Sequence, residues 1–325
     1  MHQRTVAQVF AIGLANLHGH QSTGQPNCIF TPVFLLALRS AVKKGYLRDG
    51  YIHKFIPEDA LSSFQCKLPI FNRGNFCPAM GHFPEEHIGS LSFFDIDFQE
   101  IITSKLERLG KDFESKCSAQ NSTSRYIPIS GDLNQFIEHI APSLLKEGFD
   151  PAIPTLVITE VVLIYLREKP TLRILEWFSS TLKSPSIDIN ESSPLKQEHP
   201  KAAQSPNGLF GVTLHKGRSY FITLDPSSFS DPFGMMMIKN LESSSIYLVN
   251  ELLLSGRSKF EGSLRSIDWK VLNAFTMREA YEKYISKDEK KRISLLEWVD
   301  ELEEWNLLSS HYYFSVFVLE KANDT

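Results

Sequence analysis

The chain has 325 residues, and at roughly 150 residues per domain this length allows one large domain or two small ones. Hydrophobic residues make up 42% and charged residues 22%, which is typical of a globular protein and excludes a mostly disordered or collagen-like chain. The formal net charge is −4, so the chain as a whole lacks the positive charge that attracts nucleic-acid phosphates. A nucleic-acid partner would therefore need a local basic patch.

The cysteines and the apolar runs indicate a reduced, cytoplasmic protein without a membrane span. The stretch from Thr5 to Leu17 is apolar enough to be weighed as a signal-peptide core, but Gln8 and Asn16 interrupt it. No run of about 18 apolar residues occurs, so we expect no transmembrane helix. The cysteines form no CxxC pair and no zinc-ligand spacing with histidine, which predicts free thiols and no metal site: Cys28, Cys66, Cys77 and Cys117.

The first strong strand signal lies near residue 90. Before it, apolar residues at loosely helical spacing predict a helix within Phe34–Lys54. The aromatic and β-branched run Ser90–Phe98 predicts a buried strand whose carboxyl end contains Asp95 and Asp97. A helix is expected directly after it, over Ile101–Leu109.

The clearest strand candidate is Pro154–Tyr165, a nearly continuous apolar run that is interrupted by one carboxylate, Glu160. The segments around it predict a strand, a helix and a further helix, in that order: Arg125–Ile129, Leu133–Leu145 and Arg173–Leu182. Strands that alternate with helices at this spacing predict a parallel α/β sheet.

The segment Lys183–Gly208 is rich in serine, proline and charge and poor in aromatic residues, which predicts a disordered insertion rather than core. Beyond it the pattern of alternating elements resumes. We expect a strand, two helices, an acidic amphipathic helix and a closing aromatic strand: Ser219–Leu224, Asp231–Leu241, Met277–Ile285, Lys291–Leu308 and His311–Leu319.

Carboxylates at strand ends are the first candidate ligand-binding groups. In an open α/β sheet they face the crevice where ligands bind, and in nucleotide-type sites one of them accepts hydrogen bonds from ribose hydroxyls. Asp95 and Asp97 share one face of their strand, and Asp97 lies nearer its end. The alternative is a pair of solvated loop carboxylates.

Two further acids follow the next strands. Asp132 with its apolar neighbour Leu133 could hold an adenine, although an aspartate in this position is also a common helix N-cap. Glu160 lies in so apolar a strand that it needs a cationic or hydrogen-bonding partner, either a ligand amine or a protein Arg or Lys.

The remaining polar candidates favour structural roles. We interpret His311 as a core histidine with satisfied hydrogen bonds, because no Ser/His/Asp or Cys/His motif accompanies it. The acidic run Asp300–Glu304 is most simply a solvated helix face. We therefore assign no catalytic side chain.

Taken together, seven segments in order resemble the leucine carboxyl methyltransferase family: Arg39–Ile56, Asn72–Gly74, Phe93–Phe98, Ser130–Asn134, Pro154–Leu166, Asp231–Glu242 and Glu289–Tyr312. The resemblance implies S-adenosyl-L-methionine as cofactor and a Rossmann-like class I methyltransferase sheet with helices on both faces. The methyltransferase domain is expected over residues 31–325, interrupted by the insertion 183–208, with an unassigned segment at residues 1–30.

The resemblance also implies roles for single residues. Asp97 would hold the cofactor ribose, Asp132 and Leu133 the adenine, and Glu160 would lie beside the methionyl end. Arg73, in the Asn-Arg-Gly motif, would help to shape the pocket. A leucine carboxylate is already ionised at neutral pH, so the reaction needs no general base.

Two branches of the family compete for this chain. One methylates the C-terminal leucine carboxylate of the protein phosphatase 2A catalytic subunit, and the other is the wybutosine-forming tRNA enzyme, which usually continues into a repeat domain. The end of the chain at Thr325 and the stretch Met237–Ser243 favour the phosphatase branch. We expect a cytoplasmic monomer that binds the phosphatase tail, with a catalytically silent phosphatase-binding module as a further alternative.

The resemblance fails at the glycine-rich loop that the family has after its first strand. Only residues 75–94 separate Gly74 from Asp95, and a βαβ crossover needs about a dozen residues besides its strand and turn. Two basic positions of the family are also replaced, by Leu38 and Pro78. We therefore predict that the first strand and its glycine loop are missing and that cofactor binding and turnover are impaired.

Overall fold

A mixed seven-stranded β-sheet runs through the part of the chain that the computed structural model describes, which comprises residues 7–12, 91–107, 125–182, 208–209, 212–213, 217–243, 245–296 and 302–320. The strand order is β3-β2-β1-β4-β7-β9-β8, and β5 and β6 form a separate two-stranded ladder. The strands are β1 Ala7–Ile12, β2 Leu91–Asp97, β3 Arg125–Ser130, β4 Thr155–Glu160, β5 Gly208–Leu209, β6 Val212–Thr213, β7 Tyr220–Pro226, β8 Trp269–Thr276 and β9 Tyr312–Leu319.

The strand directions are those of a doubly wound α/β fold. Strands β3, β2, β1, β4 and β7 pair in parallel, whereas β9 is antiparallel to both β7 and β8. The chain order proceeds outward from β1 through β2 to β3 on one side and from β4 to β7 on the other, so the switch point lies between β1 and β4; beyond β7, the last strand β9 lies between β7 and β8. The predicted Rossmann-like α/β sheet is therefore confirmed.

The central strand β1 comes from the amino-terminal segment. Its Ala7–Ile12 backbone pairs in parallel with β2 on one side and with β4 on the other. The prediction that the first strand is missing is therefore wrong. That prediction assumed a strand between Gly74 and Asp95, but the centre of a parallel sheet requires only an extended apolar segment that can pair on both edges. The glycine loop would follow β1, in residues outside the described part.

Helices flank the sheet on both faces. They are α1 (99–107), α2 Ala141–Lys146, α3 Glu168–Thr181, α4 Pro232–Ser243, α5 Glu251–Leu254, α6 Arg257–Arg265, α7 Met277–Tyr284, α8 Lys287–Ser294 and α9 Leu302–Ser310. Short 3-10 segments at Leu133–Gln135 and Leu163–Tyr165 and a π-helical segment at Phe136–Ile140 complete them. The predicted helix Lys291–Leu308 corresponds to parts of α8 and α9, and residues 297–301 between them lie outside the described part.

The apolar run that predicts a strand over Pro154–Tyr165 contains a strand and a turn. β4 ends at Glu160, and Val161 adopts φ 50°, a left-handed conformation that is uncommon for a β-branched residue. The Val161 N–H donates to the Leu224 carbonyl at 2.6 Å. The sequence remains apolar because this turn is itself buried, so composition could not separate the two elements.

Strand β8 is one of the elements that the sequence analysis did not predict, together with β1, α5 and α6. It lies at the edge of the sheet with β9 as its neighbour, and its register shifts between Val271 and Asn273. The shift interrupts the two-residue alternation of apolar and polar side chains, which is the usual sequence signal of a strand.

The hydrophobic core lies on the sheet face that α3 covers. Phe94 of β2, Val157 of β4 and Phe221 of β7 contribute to it from the sheet. On the helical side, the Phe178 ring of α3 lies 5.7 Å from that of Phe136. The opposite face of β2 contacts α1 through charged side chains, so the two faces of the same strand have different chemistry. No helix among the described residues is long and apolar enough to cross a membrane.

The central position of β1 predicts a large effect of proline in this strand. Phe10→Pro removes an N–H from a strand that is paired on both edges, so we expect a loss of about 3 kcal/mol or more in the free energy of unfolding. Lys270→Pro in the edge strand β8 is the control and should cost less. Urea denaturation measures both, and an unchanged midpoint for Phe10→Pro would contradict the assignment of residues 7–12 to the sheet centre.

Candidate functional site

Acidic side chains collect at the carboxyl edge of the parallel strands. Asp97 ends β2, Glu160 ends β4, and Asp225 is the penultimate residue of β7. The Gly131 N–H, just after β3, donates to the Asp97 carbonyl at 2.9 Å and joins the ends of β2 and β3. The edge next to the switch point is therefore lined by carboxylates, as the sequence predicts.

Asp95 and Asp97 are buried and share one cation. Their exposed fractions are 2% and 0%, and that of Lys105 is 3%. The Lys105 ammonium lies 3.2 and 2.9 Å from the two Asp95 oxygens and 3.2 Å from Asp97 Oδ2. Tyr126 on β3 donates its hydroxyl to Asp95 Oδ2 at 2.6 Å. The alternative of two solvated loop carboxylates is wrong.

One ammonium between two buried carboxylates leaves an excess negative charge. Burial raises the pKa of Asp97 to about 6, and Asp95 adds to this effect, whereas Lys105 and the Phe98 N–H oppose it. Burial by itself would lower the pKa of Lys105, but the carboxylates of Asp95 and Asp97 outweigh it and the pKa is raised. Lys105 therefore stays charged, and the Asp97 carboxylate can gain a proton near neutral pH.

Lys105 is a site residue that the sequence interpretation missed. On a helix with 100° per residue it lies between Ile101 and Leu109, in the middle of the apolar face that predicts the helix. A lysine in that position must pair with a carboxylate or leave the core. Its partners are the two acids at the end of β2, Asp95 and Asp97.

Asp132 caps the helical segment that follows β3. Its Oδ1 accepts hydrogen bonds from the Asn134 backbone N–H and side-chain amide, each at 2.9 Å. The N-cap alternative is therefore confirmed, while the predicted contact with adenine stays a prediction. Leu133 is buried in the hydrophobic core.

Glu160 lies level with Asp97 on the same face of the sheet. Ala11 of β1 is the register partner of Asp95 on one side and of Ile158 on the other. Two residues further along, Asp97 and Glu160 therefore flank the end of β1, about 10 Å apart at two strand spacings. Glu160 is half-buried. The structure thus brings together two of the predicted site residues on opposite sides of the central strand.

Asp225 is a second buried acid that the sequence interpretation missed. It lies on the opposite face to Asp97, accepts hydrogen bonds from the Thr223 hydroxyl and, at 3.4 Å, from the Ile164 N–H, and is 3% exposed. Burial raises its pKa to about 7. The criterion that singles out Glu160, one acid in an apolar strand, applies equally to Asp225 in β7.

The turn after Glu160 is fixed by hydrogen bonds from distant parts of the chain. The Asn250 side-chain amide donates to the Leu163 carbonyl at 2.8 Å and to the Thr171 hydroxyl at 2.9 Å. The Val249 and Asn250 N–H groups donate to the Ile164 carbonyl at 3.0 and 3.1 Å. These hydrogen bonds support the turn at the tip of β4, in which Val161 has a positive φ.

His311 is a core histidine, as predicted. It is 4% exposed, its Nδ1 lies 2.7 Å from the Leu307 carbonyl, and its Nε2 lies 2.9 Å from the Asp231 carboxylate. The Asp231 carboxylate also accepts from the Gly234 N–H at 2.8 Å. A Cβ at Gly234 would come within 2.4 Å of the Ser228 carbonyl, so glycine is required where α4 meets the loop after β7.

Arg73 and the four cysteines lie outside the described residues, as do 183–207 of the predicted insertion. Within the described part, no group of three or more His, Cys, Asp and Glu side chains could hold a metal ion.

Comparison with known proteins gives consistent matches. Residues 82–179 match the family model described as leucine carboxyl methyltransferase. Leucine carboxyl methyltransferase 1 homolog of Arabidopsis thaliana is 26% identical over 321 residues, which cover 84% of this chain and 83% of that protein. Leucine carboxyl methyltransferase 1 of Bos taurus is 24% identical over 318 residues and 84% of each chain. tRNA wybutosine-synthesizing protein 4 of Rattus norvegicus is 23% identical over 68% of this chain, but over only 29% of its own length.

These matches confirm the resemblance to the leucine carboxyl methyltransferase family that the sequence motifs predict. They also confirm the class of enzyme, a methyltransferase that uses S-adenosyl-L-methionine as methyl donor. The residues matched by the family model include Asp97, Asp132 and Glu160, at the ends of the strands described above.

The raised pKa of Asp225 predicts a pH-dependent stability. Between its ordinary value and about 7, the folded chain binds a proton that the unfolded chain has released, so this group's contribution to stability is lost as pH rises. Asp225→Asn removes the titrating carboxyl group and with it this pH-dependent contribution. The free energy of unfolding of the unsubstituted protein should therefore fall, relative to that of Asp225→Asn, by about 2–4 kcal/mol as the pH rises from 4 to 8. Urea denaturation across this range measures the difference, with the exposed Asp288→Asn as control, and a parallel pH dependence of Asp225→Asn and the unsubstituted protein would contradict the assignment.

Proposed function

We propose that this chain, a methyltransferase similar to leucine carboxyl methyltransferases, methylates the C-terminal leucine carboxylate of the protein phosphatase 2A catalytic subunit. The observation on which the proposal depends is the register of the sheet. Asp97 and Glu160 lie on one face, level with each other, on either side of the end of β1 at the switch point. This is the edge at which open α/β sheets bind their ligands.

The proposed cofactor site follows from this geometry. Asp97 accepts hydrogen bonds from the ribose hydroxyls, and the half-buried Glu160 pairs with the ammonium group of the methionyl end. Asp132, whose Oδ1 caps the helical segment after β3, accepts a hydrogen bond from the adenine amine, with Leu133 beside the ring and Arg73 as a further residue of the pocket. Asp97 is fully buried, so the ribose reaches it only if the carboxyl edge opens over it.

The chemical step makes few demands on the protein. S-adenosyl-L-methionine supplies a methyl group that is activated by its bond to a sulfonium. The acceptor carboxylate is ionised at neutral pH, so no side chain needs to remove a proton from it. The protein's contribution is to align the carboxylate with the methyl group and to exclude water from the site.

The share of this chain that each relative matches favours a protein acceptor over tRNA. The carboxyl methyltransferases of Arabidopsis thaliana and Bos taurus each match 84% of this chain, and the wybutosine-synthesizing protein matches 68%. The net charge of −4 is also unfavourable for a tRNA substrate.

We propose a monomer that acts in the cytoplasm. A silent phosphatase-binding module is the alternative, because Leu38 and Pro78 replace two basic residues expected near the cofactor.

Glu160→Gln tests the cofactor site directly. Loss of the carboxylate removes a charge-assisted hydrogen bond to the methionyl ammonium, so we expect S-adenosylhomocysteine to bind about 10-fold to 100-fold more weakly. Isothermal calorimetry measures the affinity. Glu303→Gln on the exposed surface of α9 makes the same chemical change away from the site and should have no effect.

Transfer of a labelled methyl group to the phosphatase core enzyme tests the acceptor. Label in the C-terminal leucine, and none after removal of that residue, would support the proposal. Stable binding of the phosphatase without label would support the silent module instead, and label only in tRNA would support the wybutosine branch.

A further inference from the structure

We propose that Lys105 is a positioning residue for the cofactor: together with Asp95 and Tyr126 it keeps the Asp97 carboxylate ionised and oriented to accept both ribose hydroxyls. This inference rests on the proposed function, because it assigns a role to groups behind the proposed ribose ligand. None of the three supporting residues needs to contact the cofactor itself.

The hydrogen bonds of the two carboxylates are unequal. Asp95 accepts three, two from Lys105 and one from the Tyr126 hydroxyl. Asp97 accepts two, one on each oxygen: the Phe98 N–H donates to Oδ1 at 2.9 Å and Lys105 donates to Oδ2 at 3.2 Å. A carboxylate has about four acceptor positions. Among the described contacts, Asp97 therefore keeps one open position on each oxygen, which matches the two neighbouring hydroxyls of a ribose.

The Lys105 ammonium is fixed by its three contacts with carboxylate oxygens. An ammonium has three N–H donors, and all three contacts lie within 3.2 Å. Tyr126 holds Asp95 from β3, and Asp95 holds the ammonium from β2, so the position of Lys105 is determined by the sheet rather than by its flexible side chain. The orientation of Asp97 is fixed in turn from two sides, by Lys105 and by the backbone N–H of Phe98.

The charge of the cluster matters as much as its geometry. The charged groups that face Asp97 in the described part are Asp95 on its own strand and Lys105 from α1, with the neutral Tyr126 behind Asp95. Without Lys105, two carboxylates would share a buried site, and one of them would take up a proton. A protonated Asp97 donates through one oxygen and can no longer accept from both hydroxyls.

This role predicts opposite effects on the pH dependence of cofactor binding. In the unsubstituted protein, affinity should fall below about pH 6, where Asp97 gains its proton. Lys105→Met removes the cation and should move this fall to higher pH. Asp95→Asn removes the competing carboxylate, leaves Lys105 to Asp97 alone and should move the fall to lower pH. A purely structural role would weaken binding by a similar factor at every pH.

The experiment is calorimetric titration of the full chain with S-adenosylhomocysteine between pH 5 and pH 9. For Lys105→Met we expect binding at least 10-fold weaker at pH 7 and recovery toward pH 9, and Lys105→Arg should restore most of the affinity at pH 7. The matched control, Lys146→Met on the exposed surface of α2, should bind as the unsubstituted protein does.

Two outcomes separate this inference from the proposed function. If the unsubstituted protein binds S-adenosylhomocysteine but Lys105→Met and Asp95→Asn leave its pH profile unmoved, the role of Lys105 is refuted and the proposed function stands. If the unsubstituted protein does not bind, both fail. If Lys105→Met does not fold, Asp95→Asn alone decides. It is expected to retain cofactor affinity at lower pH than the unsubstituted protein does, and a loss of stability would not produce this result.

Discussion

Parallel pairing of β1 with both β2 and β4 is the constraint on which the rest of the structure depends. It places the ends of β2 and β4 level with each other and orients their last carboxylates to the same face. A register shift of one residue on either side would send Asp97 or Glu160 to the opposite face, because side chains alternate along a strand. The pairing of the strand backbones therefore determines where the residues of the candidate site lie and which face they occupy.

The two faces of the sheet deal with buried acids in different ways. On the face of Asp97, a lysine from α1 compensates one of the two negative charges, and one negative charge remains in excess. On the face of Asp225, a threonine hydroxyl and a backbone N–H are the donors, and burial favours the protonated form. Buried carboxyl groups can be held as partly paired ions or as neutral acids. Only the first arrangement provides the ionised acceptor that a ribose requires.

Local pattern predicted much of the fold and part of the site. The acids at the ends of β2 and β4 are recognisable because each interrupts or ends an apolar run, and the parallel sheet follows from the alternation of strands and helices. The residues that hold the site in place could not be recognised from the local sequence pattern. Lys105 meets Asp95 only when α1 packs back against β2, and Asn250 meets Leu163 only after distant segments have packed together. The edge strand β8 lacks alternation, so its pairing with β9 decided its conformation.

The sequence by itself determined the family resemblance, the α/β class and the acidic residues at the strand ends, because these depend on residue types and short spacings. Only the tertiary structure decided that residues 7–12 fill the centre of the sheet, that Asp132 caps a helix, and which face each acid occupies. The physical reason is that strand pairing and burial are long-range. A strand has the same local pattern at the centre of a sheet whether its neighbours lie near or far along the chain.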